Sequence, residues 1–203
     1  MICVKPALCE NQTKMNINEK IALLLRHADR DDIPKGSFGN EILLNEQGKQ
    51  NAQRFGASLA EMKVNKIYTS PVERCVQTAE FITRGYGNSL EIIETTALGA
   101  PGLHITDEKV AGNFYLEHGF DEMYNRFMQG REIPGMPNMD QLNYRITTFI
   151  KAHTTHNGRT LFITHDMLIA FYHFSINRKI YTKENWVNYM TGLTFKNGII
   201  DEG

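Results

Sequence analysis

The sequence has few cysteines, no phosphate-binding glycine loop, no long apolar run and almost no net charge, and each absence removes a class of protein. Cys3, Cys9 and Cys75 are an odd set without Cys-x-x-Cys spacing, so neither a disulfide framework nor a zinc site is expected. Cys75 falls on the apolar side of a helical pattern and reads as a small buried hydrophobe. Gly36, Gly39 and Gly48 do not belong to a Gly-x-x-x-x-Gly-Lys-Ser/Thr loop. His153 and His156 are spaced like zinc ligands, but no further ligand pattern accompanies them, and they read as a polar helix end. The apolar run near the start, Ile21–Leu25, is five residues, against the about 20 needed to cross a bilayer. The first twenty residues are polar and lack the apolar stretch of a secretory signal, so a cytoplasmic location is expected. Lys plus Arg is 22 and Asp plus Glu is 23, a formal net charge of -1. No global field draws such a chain to nucleic acid or to anionic membrane; an anion must be held by a few local charges.

What is present is a globular pattern. The chain has 203 residues, 41% hydrophobic and 22% charged, long enough to bury roughly 70% of its unfolded surface. Residues 1–19 read as a polar arm and 20–203 as a single domain. Ile21–Leu25 suits a strand buried on both faces. A polar loop follows from Asp29 to Asn40. Gly48–Met62 reads as a helix with Ala52, Phe55, Leu59 and Met62 on one face, and Val64–Thr69 as a second strand. Ser70-Pro71-Val72-Glu73 has the form of a capping box with proline at the first helical position, and the helix it opens runs to Gly85. Leu90–Ile93 is a third strand. Residues 95–137 read as an insertion with short helices at Glu108–Leu116 and Asp121–Met128, in which Met123, Phe127 and Met128 form a core stripe. Leu142, Ile146, Phe149 and Ile150 mark a further helix, Thr160–Thr164 a fourth buried strand, and Met167–Phe174 an apolar helix. Asn197-Gly198 makes a hairpin turn near the end. Strands alternating with helices imply an α/β fold: a three-layer α/β/α sandwich, its central sheet mostly parallel, with a helical insertion over the active-site edge.

In such sheets ligands sit beyond the carboxyl ends of the strands. Arg26 and His27 end the first strand, Ser70 and Arg74 follow the second, and His165 and Asp166 follow the fourth. Two arginines, two histidines and a carboxylate thus converge on one edge, with Arg30 as a third arginine from the loop. Guanidinium groups bind a phosphate dianion with paired hydrogen bonds. A neutral imidazole attacks phosphorus through one ring nitrogen when the other nitrogen's proton is held. A second, protonated histidine and the arginines stabilise the equatorial oxygens without a metal or cofactor, and a carboxylic acid protonates the leaving alkoxide.

These residues carry a resemblance. Leu25-Arg26-His27-Ala28-Asp29-Arg30 resembles the Arg-His-Gly signature of the histidine phosphatase superfamily, the phosphoglycerate-mutase-like proteins. Leu44-Asn45-Glu46-Gln47-Gly48 is similar to its L-T-x-x-G segment, and Ser70–Ala79 to its S-P-x-x-R-x-x-Q-T-A segment. Phe162-Ile163-Thr164-His165-Asp166 matches its strand ending in a second histidine. The order of all four is right, over residues 21 to 170. The resemblance implies that His27 becomes phosphohistidine and that Arg26, Arg74 and His165 form the phosphate pocket. Arg30 and the His165-Asp166 pair match the acid-phosphatase branch, in which the Asp donates the proton. The chain's size and its Ser70–Ala79 segment resemble the mutase-like branch.

Two departures stand out. Ala28 replaces the usual glycine, and the stretch Glu94–Gly102 has no glutamate where the mutase branch takes its acid. Asp166 is therefore the first expected proton donor, with Asp107 and Glu94 as alternatives. Asp166 could instead cap the helix starting at Met167, and Arg30 could pair with Asp31 or Asp32. The expected activity is metal-independent hydrolysis of a small phosphorylated metabolite. A mutase, a protein phosphohistidine phosphatase and a non-catalytic phosphate-binding module are the alternatives.

Overall fold

The computed structural model describes residues 19–34 and 37–201. Cys3, Cys9, Gly36 and nearly all of the N-terminal arm lie outside them. The elements are β1 (Lys20–Arg26), α1 (Glu46–Ser58), β2 (Val64–Thr69), α2 (Glu73–Tyr86), β3 (Glu91–Glu94), α3 (Glu108–Met128), α4 (Met139–His153), β4 (Gly158–Thr164), α5 (Asp166–Asn177), β5 (Gly192–Lys196) and β6 (Ile199–Asp201). The sheet order is β3-β2-β4-β1-β5-β6. β1–β4, β2–β4 and β2–β3 pair in parallel, whereas β5 and β6 add an antiparallel edge.

Two apolar cores explain the three layers. β1 sends Ala22 and Leu24 to one face, and Leu23 and Leu25 to the other, as strand alternation requires. The first face packs on α3, α4 and α5 through residues such as Phe114, Ile146 and Phe171. The second packs on α1 and α2 through Ala52, Cys75, Ala79 and Ile82. The helices of that second layer approach closely because glycines face one another. A Cβ on Gly85 would sit 1.8 Å from the Gln53 carbonyl oxygen, and one on Gly56 would sit 2.0 Å from that of Ile82.

Two expectations about α2 are corrected. Its N-cap is Val72 and it has no side-chain cap; the Ser70 hydroxyl meets the loop N–H of Val72 and the His165 ring instead of the first turn of the helix. The Ser70/Glu73 capping box is therefore absent. The helix also passes Gly85 and ends at Gly87, whose φ of 82° supplies the left-handed cap. The two short helices of the insertion are one interrupted helix, α3, broken at Gly119 (φ 77°, ψ 174°). Met123 and Phe127 are buried in the core beside it, with Met128 packed against them. The turn at Asn197 and Gly198 takes positive φ at both residues and joins β5 to β6. No helix among the described residues is long and apolar enough to cross a membrane.

Candidate active site

Ladder bonds run past the ends of three adjacent strands and fix the residues that follow them. His27 N–H donates to the Thr164 carbonyl (2.9 Å), and Ser70 N–H to that of Ile163 (3.0 Å). His27, Ser70 and His165 therefore emerge side by side at the carboxyl edge.

Arg74, in the first turn of α2, ties them together. Its Nε donates to His27 Nε2 (3.1 Å), one terminal nitrogen donates to the Gly39 carbonyl (2.6 Å), and the other meets His165 Nδ1 (3.3 Å). Arginine has only donors, so both histidine nitrogens facing it are unprotonated. The remaining protons follow. His27 Nδ1–H donates to the Ala28 carbonyl (2.8 Å), and His165 Nε2–H donates to Ser70 Oγ (3.0 Å). Burial, and then His165, hold the His27 pKa well below the ordinary imidazole value. Burial and Arg74 push His165 down to about 3. His165 is thus neutral in this arrangement, and a dianion beside it would raise its pKa toward the protonated form expected during phosphoryl transfer.

The polar residues that follow Arg74 on α2 brace the loop after β1. Gln77 Oε1 accepts from Leu44 N–H (3.0 Å), and Thr78 Oγ1 accepts from Ala28 N–H (3.0 Å). Asn45 Oδ1 caps α1 by accepting from Gly48 N–H (2.9 Å). Gly48 must be glycine, because a Cβ there would lie 2.1 Å from the Asp29 carbonyl oxygen. Ala28 is fully buried and is not among the residues with positive φ, so its methyl group requires no strained backbone. Cys75 lies 3.6 Å from His165 Nε2, but burial pushes its thiol up to about 12, which removes it as a nucleophile.

Arg26 and Asp166 do something else. Arg26 donates to the Val187 carbonyl (2.5 Å), pairs with Asp166 Oδ2 (2.8 Å), and stacks on Tyr189 at 3.9 Å. Asp166 also accepts from Trp186 Nε1 (3.0 Å) and from Met167 N–H (2.8 Å). Burial alone would raise its pKa, but Arg26, Trp186 and the Met167 N–H outweigh it and hold the carboxyl below the usual aspartate value. These contacts hold Asp166 as a carboxylate.

A cavity of about 470 Å³ opens on this edge, with His27, Arg30, Arg74, His165 and Asp166 on its wall. Arg26 is behind the wall. Arg30 donates to the Asp31 backbone carbonyl (2.6 Å) rather than pairing with a carboxylate, and its Nε is buried without a partner, as is that of Arg26. Of the alternative acids, Asp107 caps α3 by accepting from Val110 N–H (3.0 Å), and Glu94 is exposed and away from the wall. Sequence reasoning missed Glu108 and His104, which both line the cavity. Glu108 is the immediate neighbour of the Asp107 it did consider. His104 carries no sequence signal, because only the fold of residues 95–107 brings it there. The zinc-like spacing of His153 and His156 has no structural sequel: His153 Nδ1 bonds the Phe149 carbonyl (2.8 Å) at the end of α4.

Comparison with known proteins places this arrangement. A 2,3-bisphosphoglycerate-dependent phosphoglycerate mutase from Thermoplasma acidophilum is 26% identical over 151 residues, covering 72% of this chain and 70% of the mutase. The fold is similar to that of phosphoglycerate mutase from Bacillus anthracis (TM-score 0.57, 15% identity, 91% of each chain). It is also similar to that of a mycobacterial glucosyl-3-phosphoglycerate phosphatase (TM-score 0.56, 14% identity, 88% of this chain and 89% of the other). The family model described as histidine phosphatase superfamily, branch 1, matches residues 22–181; with that match over a site built from two facing histidines and a shared arginine, the chain belongs to the histidine phosphatase superfamily.

Proposed function

We propose that the protein is a metal-independent phosphomonoester hydrolase that works through phospho-His27. The observation that carries the reading is the tautomer of His27: its Nδ1 proton is held by the Ala28 carbonyl, leaving the Nε2 lone pair toward Arg74 and the cavity. An entering phosphate takes over the Arg74 donors and frees that lone pair. His27 Nε2 then forms the N–P bond as the P–O bond to the alcohol breaks. Arg74, His165 and Arg30 hold the equatorial oxygens, and the unpaired Nε donor of Arg30, on the cavity wall, suits the same anion. The departing alkoxide takes a proton from Glu108, the wall carboxyl not committed to an arginine. Water then attacks the phosphohistidine and releases orthophosphate. Asp166 and Arg26 act as a positioning pair beneath the site.

The test is phosphate release in the presence of EDTA, together with trapping of an acid-labile phosphoenzyme. Both are expected in the wild type and absent in His27→Asn. Turnover that survives in His27→Asn refutes the reading. The similarity to the Thermoplasma acidophilum mutase supports a second reading, in which the phosphoryl group returns to the product. That reading requires a phosphoenzyme that resists water and discharges to an acceptor alcohol; rapid free phosphate release eliminates it.

A further inference from the structure

The cavity above His27 is larger than a phosphoryl group fills and is of the size that holds a small organic ligand. Beyond the histidines its wall is built from Phe38, Tyr115, Leu116, Phe120, Met123 and Trp186. Phe38 and Tyr115 meet at 5.5 Å between ring centroids, joining the loop before α1 to α3. Phe120 and Trp186 meet edge to face at 4.8 Å. Phe38 and Leu116 remain 48% and 51% exposed, which is unusual for large apolar side chains unless something covers them.

Charge on the wall away from the phosphate contacts is sparse and self-balancing. Glu108 and Lys109 are exposed neighbours of opposite sign. The buried polar group there is His104, whose Nδ1 has no hydrogen-bond partner. Burial pushes its pKa down to about 4, so it is a neutral hydrogen-bonding group near pH 7 and not an anion receptor. Among the described residues, a second carboxylate or phosphate on the substrate would find no dedicated buried cation beyond those around His27.

We propose that the alcohol part of the substrate is an apolar group at least as large as an aromatic ring, seated between Phe38, α3 and Trp186. This rests on the reading of His27 as the phosphoryl acceptor, and binding and turnover are therefore measured separately. Ethylphosphonate and 2-phenylethylphosphonate, which cannot be hydrolysed, are titrated against the full chain by calorimetry. The fluorescence of Trp186, the single tryptophan of the sequence, gives a parallel readout. The Kd for the phenylethyl compound is expected to be at least about ten-fold lower. Ethyl phosphate, 2-phenylethyl phosphate and 3-phosphoglycerate are then compared as substrates. The first two leave as primary alcohols of similar basicity, so their ratio of kcat/KM reports the pocket; at least about ten-fold in favour of phenylethyl is expected. The Phe38→Ala, Leu116→Ala double variant is expected to shrink both ratios. Equal affinity for the two phosphonates, failure to bind either, or preference for 3-phosphoglycerate overturns the proposal. Discrimination between the phosphonates with no phosphoester hydrolysed upholds this proposal and defeats the proposed hydrolase; hydrolysis without discrimination does the reverse.

Discussion

Lowering the pH from 7 to 5.5 is expected to destabilise the ligand-free protein steeply. His27, His104 and His165 are all neutral in the fold because burial disfavours their charged forms. In the unfolded chain each titrates near the ordinary value of about 6.5. The folded pKa values lie below the unfolded ones, so the unfolded state binds more protons as the pH falls. The stabilisation is complete above the unfolded value and is lost on the way down toward the folded values, about 4 for His104 and about 3 for His165. Between pH 7 and 5.5 the linkage relation gives about 1.3 kcal/mol each for His104 and His165, about 2.6 kcal/mol together, and His27 adds to it in the same direction. That is a large part of the 5–15 kcal/mol typical of a domain. Urea unfolding followed by circular dichroism at pH 7, 6 and 5.5 measures it, with a constant m-value as the check on two-state behaviour. His104→Phe, which keeps a ring of similar size, should remove about 1.3 kcal/mol of that loss. Inorganic phosphate should flatten it further, since a dianion beside His165 favours the protonated ring. A midpoint that stays constant or rises as the pH falls refutes the tautomers and burial assigned to these histidines.

Gly48→Ala is expected to lower stability by about 2 kcal/mol or more and to disturb the loop carrying Arg30, because the added Cβ meets the Asp29 carbonyl; an unchanged Tm contradicts that packing. Thr78→Val leaves the buried Ala28 N–H without its acceptor, at a cost of about 1–3 kcal/mol measured by urea unfolding. Glu108→Gln is expected to slow alkyl phosphates far more than p-nitrophenyl phosphate, whose leaving group needs little protonation. Asp166→Asn is expected to slow both kinds of substrate alike and to lower Tm; selective loss on alkyl phosphates would restore Asp166 as the donor.

The strands and the ends that carry chemistry were legible because their cause is local. A continuous apolar run closed by Arg26-His27, or by Thr164-His165, marks both a buried strand and the point where it leaves the sheet. The features that were not legible depend on partners distant in sequence. Ser70-Pro71-Val72-Glu73 fits a capping box, yet the Ser70 hydroxyl is drawn to His165, ninety-five positions away. Gly85 and Gly87 look alike as helix stops. One is a packing glycine against Gln53 and the other a left-handed cap, and only the helix pair distinguishes them. Arg26 reads as a phosphate ligand from its place beside His27, and nothing in the sequence announces that its guanidinium also holds Val187, Asp166 and Tyr189.

The pairing with Asp166 bears directly on which carboxyl gives up a proton. Protonating Asp166 would remove the charge facing Arg26 and leave a buried guanidinium uncompensated, a change of the kind that costs about 3–5 kcal/mol. It would also weaken the bonds from Trp186 and Met167, which favour the charged oxygen atoms. A general acid has to be protonated before it acts, so a site that spends three contacts on keeping a carboxylate ionised is poorly suited to that step. The same contacts suit a different task. Asp166 fixes Arg26, Arg26 grips the 187–191 segment and stacks on Tyr189, and Tyr189 lies 5.7 Å from the His27 ring. A His-Asp dipeptide at the end of β4 is thus compatible with two mechanisms that sequence alone does not separate. The three contacts of its carboxylate favour the one in which the aspartate orders the floor of the site.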